Sequence, residues 1–345
     1  MASRTLDDRT VLLYYREPSH DRFFPYDRHL RRALRPVYNL VRRDQRVSGF
    51  FVWYQRLTFA LRRAGYRVVC NDVGLARRHP DHPVGLVGYP VVLDGWDLPN
   101  PAVLGPALFD HPAQAPELMR DERFRRYLVT APWMHDLFAP AYGDRLGDWY
   151  AGIDTDEWAD ARTTPKSVDV LVYDKIRWRR EHYEPALLDP ILAQLRQRGL
   201  RVETVRYGQY EHDAYRRLLQ RSRAIVFLCE HETQGLAYQE ALACNVPMLA
   251  WDQGLWLDPN RVHYTNDAVP ATSVPYFSPE CGERFRDARE FEERFDAFWA
   301  GRDAYEPRAY VQRELSPEGS ARRYLDYYEA LLPGALGTTA RRGRA

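Results

Sequence analysis

Two glutamates eight residues apart, Glu232 and Glu240, bracket a glycine in the segment AIVFLCEHETQGLAYQEALACNVPMLAWD. An apolar, β-branched run over 224–229 leads into the polar loop EHETQG, and a helical pattern starts at Leu236. Gly235 lets the backbone approach a ligand closely. The free N–H groups of a helix start suit an anion such as a diphosphate. Upstream, DKIRWRR places Lys175, Arg177, Arg179 and Arg180 directly after another apolar run. Fixed cations in a closed cleft could hold an anion. By residue type alone, plainer roles also fit: exposed acids on a strand–loop–helix crossover, and a solvated run of charge.

The elements that must position these residues follow from hydrophobic periodicity. Short apolar runs alternate with helical patterns, the signature of βαβ units around parallel sheets. In the first half, strands are predicted at 10–15, 66–70, 84–89, 103–109, 127–131 and 149–154. Helices are predicted at 50–63, 116–126 and 134–142. In the second half, strands are predicted at 168–173, 201–205, 224–229 and 246–251. The helices there are 184–198, 212–221, 236–244, 287–300 and 317–332. The fold class is therefore α/β, two Rossmann-like domains facing each other across a cleft at the carboxyl ends of their sheets. The predicted boundaries are 1–155 and 168–312, an interdomain linker at 156–167, a C-terminal helix at 313–332, and a disordered basic tail at 333–345.

The segment ETQGLAYQE followed by ALACNVPMLAWD resembles the Glu-x7-Glu motif of retaining GT-B glycosyltransferases of the family-4 type, commonly EGFGLPxxEAMACGxPVVA. The matches are Glu232, Gly235, Leu236, Glu240, Ala241, Ala243, Cys244, Val246, Pro247 and Ala250; the departures are Gln234, Ala237 and Asn245. The resemblance implies that Glu232 lies beside the donor sugar and the reacting carbon. It implies that Gly235 and Leu236 offer backbone N–H groups to sugar and phosphates, with Gln234 beside them, and that Glu240 accepts hydrogen bonds from a ribose. The family's R-x4-K pair, which neutralises the diphosphate, is matched with exchanged types by Lys175 and Arg180; Arg179 or Arg180 is the second cation. SGFFVWYQRLTFALRRAGYRVV resembles the segment that opens the family's first domain. Gly49 there is either a donor-phosphate approach or a plain helix cap. The C-terminal helix is expected to cross back to the first domain. The likeness covers about 45–330 and is strongest over 168–252. It implies sugar transfer with retention, a nucleotide-diphosphate sugar as donor, and no metal or resident cofactor. The alternatives are a non-catalytic nucleotide- or partner-binding subunit of the same fold, or another nucleotide-sugar enzyme such as an epimerase or phosphorylase.

Other candidates are thinner. Asp110 and His111 follow a first-half strand, where such proteins often place an acceptor-side histidine. Asp154-Thr155-Asp156 is a DxD, and His79, Asp81 and His82 sit among prolines in what reads as an exposed loop. The stretch 27–46 is arginine-rich and could meet an anionic acceptor or membrane surface. Whole-chain numbers narrow the classes further. There are 49 basic and 48 acidic residues, a net +1, so no chain-wide field attracts nucleic acid. Only Lys166 and Lys175 are lysines. Four cysteines are scattered, and three sit in apolar runs, which suits buried thiols rather than disulfides; no apolar run is long enough to span a bilayer. A cytoplasmic location is expected.

Overall fold

The computed structural model describes residues 6–18, 49–106 and 108–333. The basic stretch 27–46 and the tail beyond residue 333 lie outside the described residues. The first sheet holds β1 (Thr10–Arg16), β2 (Arg67–Cys70), β3 (Val84–Gly88), β4 (Ala102–Leu104), β5 (Phe124–Val129) and β6 (Leu146–Asp148). Its order is β2-β1-β3-β4-β5-β6, and every pair is parallel. Around it lie α1 (Gly49–Arg63), α2 (Val73–Arg78) and α3 (Pro132–Tyr142).

The second sheet holds β7 (Val168–Lys175), β8 (Val202–Arg206), β9 (Ser222–Cys229), β10 (Met248–Trp251) and β11 (Gly282–Phe285), in the order β11-β10-β9-β7-β8 and again parallel. β7 and β9 are buried over almost their whole length, which explains their near-continuous apolar sequence. Its helices are α4 (Arg180–Tyr183) and α5 (Asp189–Gln197), joined by a π-helical turn at Glu184–Leu188, then α6 (His212–Gln220), α7 (Leu236–Ala243), α8 (Ala288–Gly301) and α9 (Pro307–Glu314). Separate apolar clusters cover the two faces of this sheet.

The last helix, α10 (Pro317–Glu329), returns to the first domain as expected and lies along α1. Tyr324, Leu325 and Tyr328 enter the first domain's core. The Tyr328 hydroxyl accepts the Leu12 N–H at 2.9 Å and donates to the Pro83 carbonyl. Gly85 makes room for this helix: a Cβ there would stand 2.0 Å from the Tyr324 hydroxyl.

Several expectations need correction. The predicted helix at 116–126 is a 3-10 turn at Leu118–Arg120 followed by the start of β5, whose Phe124 and Tyr127 turn inward. The strand expected at 149–154 lies just before it, as β6. The linker 156–167 forms a strap packed on the second domain. Trp158 and Ala161 are buried, Ala161 N–H donates to the Cys244 carbonyl at 2.9 Å, and the Arg308 guanidinium donates to the Thr155, Trp158 and Ala243 carbonyls. The elements α2, β11 and α9 were not predicted; each is six residues or fewer, or lies in an arginine-rich polar stretch.

Candidate active site

β7 and β9 are neighbours, but the chain leaves β7 toward β8 on one side and β9 toward β10 on the other. The loops diverge there and open a crevice at the carboxyl ends of the strands. Lys175 is the last residue of β7, and Glu232 stands three residues beyond the end of β9. Their side chains form an ion pair that is nearly fully buried. Burial, the largest influence, works against the ammonium charge, but the Glu232 carboxylate together with Cys229 and Tyr207 outweighs it and holds Lys175 above its ordinary value. The Tyr207 ring, at the end of β8, lies 4.5 Å from Nζ. Burial, reinforced by Glu232, pushes the Cys229 thiol up, so it is a donor and reaches Glu232 Oε1 at 3.6 Å.

The cations after β7 separate into two roles. Arg180 forks onto Asp174 at 3.0 and 2.7 Å and reaches Glu184 at 2.9 Å, so its guanidinium is committed to carboxylates of its own domain. Arg177 and Arg179 are exposed. Arg177 lies close enough to act on the charges of Lys175, His231 and Asp110. Arg179 has a left-handed backbone, φ 48°. Glu230 shapes this loop: its Oε1 accepts the Arg177 and Trp178 N–H groups at 2.8 and 2.9 Å. Burial raises the Glu230 pKa.

Gly235 caps α7 with φ 81°, and a Cβ there would stand 2.2 Å from the Tyr238 ring. Leu236 is half-buried and touches the cores of both domains. Gln234 is fully buried and faces protein on every side. Its amide exchanges hydrogen bonds with the Ala151 backbone at 3.0 and 2.9 Å and donates to Gln239 at 3.0 Å. Glu240 is buried, with Arg56 of α1 on Oε1 and His212 at 3.5 Å from the same atom. Gly49 opens α1 at an exposed position with nothing within 4 Å of its would-be Cβ.

The first domain closes the crevice. The Trp133 indole donates to the Glu232 carbonyl at 2.8 Å, and the Tyr276 hydroxyl donates to the Thr130 carbonyl at 2.8 Å. His111 lies between the Trp256 and Tyr264 rings, 6.2 and 5.4 Å between centroids, and burial lowers its pKa. Asp110 borders the same wall: water reaches its carboxyl, yet enough protein surrounds it that burial raises its pKa, with Asp258 adding to the rise and Arg177 opposing it. His231 is buried, stacked on Trp178 at 5.1 Å, with Nδ1 unpaired. Burial, then Arg177 and Lys175, depress its pKa to about 3.

Sequence reasoning missed Arg56, Trp133, Glu230, His231 and Trp256. Arg56 is one of many helix arginines, and Trp256 sits in a stretch without periodicity. Glu230 and His231 were readable only as part of the polar loop. Elsewhere, Pro80 and Asp81 are exposed, as expected of their loop, but His82 turns inward and is buried with Nε2 2.8 Å from the Thr10 carbonyl. Asp154 accepts the Asp156 N–H at 3.0 Å, and both carboxylates face Arg63. Among the described residues, no three His, Cys, Asp or Glu side chains gather in a metal-holding group.

No protein-family profile matches the chain, and no curated protein matches it by sequence. Solved structures do match. A sucrose-phosphate synthase from Thermosynechococcus elongatus aligns at TM-score 0.55 and 13% identity, over 93% of this chain and 98% of its own. The apo lipopolysaccharide outer core galactosyltransferase WaaB gives TM-score 0.47 and 10% identity, over 94% and 100%. The GtfA/B complex gives 0.46 and 12%, over 73% of this chain and 57% of that one. The chain spans just over half the length of the GtfA/B and TarM chains that it matches. These neighbours are glycosyltransferases, and the sucrose-phosphate synthase, at TM-score 0.55, shares with this chain the two-domain GT-B fold.

Proposed function

We propose that this chain is a glycosyltransferase that moves a sugar from a nucleotide-diphosphate sugar to an acceptor hydroxyl, with retention of anomeric configuration and without a metal. The buried Lys175–Glu232 pair at the switch point of the second sheet carries this reading. A buried ion pair is weak evidence for stability. In a cleft, a buried pair of opposite charges at a topological switch point is a candidate working site.

In this reading the Lys175 ammonium and one exposed guanidinium hold the leaving diphosphate, and the N–H groups that open α7 at Gly235 add to them. Arg177 is the better second cation. Arg180, engaged by Asp174 and Glu184, stiffens the base of the loop instead. Glu232 orients the donor sugar, and Glu240 accepts from the ribose. The bond from the anomeric carbon to the phosphate oxygen breaks as the acceptor oxygen bonds to that carbon on the same face. The acceptor's proton passes to the departing phosphate. Asp110 and His111 stand on the acceptor side.

A thermal-shift screen against UDP, GDP, ADP and TDP tests the donor site. A nucleotide at a hundred times its Kd should add about 2.7 kcal/mol of stability. Stabilisation by none of them would overturn the assignment. With the sugar nucleotide that binds, the anomeric configuration of the product tests retention, and complete loss of activity in EDTA would sink metal independence.

A further inference from the structure

Among the described residues, Glu240 is the acid of the proposed donor site whose carboxylate is held by a side chain of the opposite domain. Arg56 projects from α1 of the first domain and places Nη2 on Glu240 Oε1, while its Nη1 reaches the Gly152 carbonyl at 3.3 Å. His212, at the start of α6 in the second domain, approaches the same Oε1 at 3.5 Å. Oε2 takes no hydrogen bond from the described residues. A carboxylate offers about four lone-pair sites, so the Arg56 guanidinium and the His212 ring at one oxygen fix the group's plane and leave the other oxygen able to accept hydroxyls. The Arg56 side chain is largely buried, and Glu240 more so, which keeps the pair from being screened away as a surface contact would be.

We infer that Arg56 is a positioning residue that reaches across the interdomain cleft, holds Oε1 of Glu240, and so presents Oε2 to the ribose of the donor. Donor binding is thereby tied to closure of the first domain on the second. The inference rests on the transferase reading for the identity of the ligand, not for the contact itself. Arg56 touches no reacting atom in this scheme. Its loss therefore weakens the bound donor without slowing the chemistry of the fraction that binds.

The full chain is compared with its Arg56→Ala and Arg56→Lys variants in two measurements. The first is an NMR titration of His212, which faces Glu240, Arg56, Glu157 and the edge of Trp158. Arg56 opposes protonation of His212, so its removal should move the His212 titration to higher pH. An unchanged titration would show that Arg56 does not sit on Glu240 in solution, and the inference fails. The second is steady-state transfer. Arg56→Ala should raise the donor KM about tenfold with kcat within about twofold, the scale of one charged hydrogen bond, and Arg56→Lys should recover part of the loss. A fall in kcat at constant KM, or no change in either, overturns the positioning role. If the wild-type chain neither binds a nucleotide nor turns over a sugar nucleotide, the transferase reading falls and takes the donor role with it; the His212 titration still decides whether the contact exists.

Discussion

Lys175 carries its charge where water is excluded, and of the groups that favour that charge Glu232 acts most strongly. Removing one partner strands the other. Lys175→Met should abolish transfer and lower stability by about 3 kcal/mol in chemical denaturation, while Lys175→Met/Glu232→Gln should recover much of the stability and none of the activity. A double variant no more stable than the single one would show that the pair is not a closed electrostatic unit. His231 makes a different demand. Its folded pKa, about 3, lies below the ordinary 6.5, so the unfolded chain takes up a proton first as the pH falls. Stability from this group is therefore present above about pH 6.5 and is lost on acidification. Between pH 6.5 and about pH 5 the loss should reach about 2 kcal/mol. His231→Asn should flatten that part of the melting profile; an equal acid slope in both proteins would refute the assignment. His212 has the opposite sign, its pKa being raised first by its hydrogen bond to Glu240, so its contribution is present at low pH and lost as pH rises.

The loop that opens α7 joins chain geometry to chemistry. Gly235 combines φ 81° with a Tyr238 ring where a Cβ would stand, so Gly235→Ala should cost about 2 kcal/mol or more and disturb both glutamates at once. Circular dichroism melts and donor KM would register the two effects, and a fully active, fully stable variant would contradict the geometry. This element was legible in the sequence because three signals agree there: a buried strand, a glycine at its turn, and a helix with Asn245 after it in the left-handed region. The division of labour among the cations was not legible. Spacing alone favoured Arg180, but Asp174, the penultimate residue of β7, turns toward Arg180 and takes its guanidinium. Gln234 escaped for a related reason. Its side chain reads as a polar loop residue, but it fills a backbone bridge to Ala151 that exists only once the two halves meet. The segment at 116–126 shows the converse error. Its charged residues resemble a helix face, yet parallel pairing with β4 draws Phe124 into a strand.

At the scale of the whole molecule, the two sheets are joined by three segments: the crossing stretch after β6, the strap that follows it, and α10. The last of these completes a core begun more than three hundred residues earlier. Tyr328 gives Leu12 and Pro83 their hydrogen-bond partner, so Tyr328→Phe should cost about 1–3 kcal/mol through two backbone groups left without one. A melting temperature equal to wild type would refute that role. The arrangement also sets an order of events during synthesis. The second domain's core is complete once α9 has emerged, since Val311 and Leu315 are buried in it. The first domain is made earlier but waits, because the groove beside Gly85 stays open to solvent until Tyr324 and Tyr328 are released. The half of the protein translated first is thus finished last, and through that interval its apolar groove is the surface a chaperone would meet.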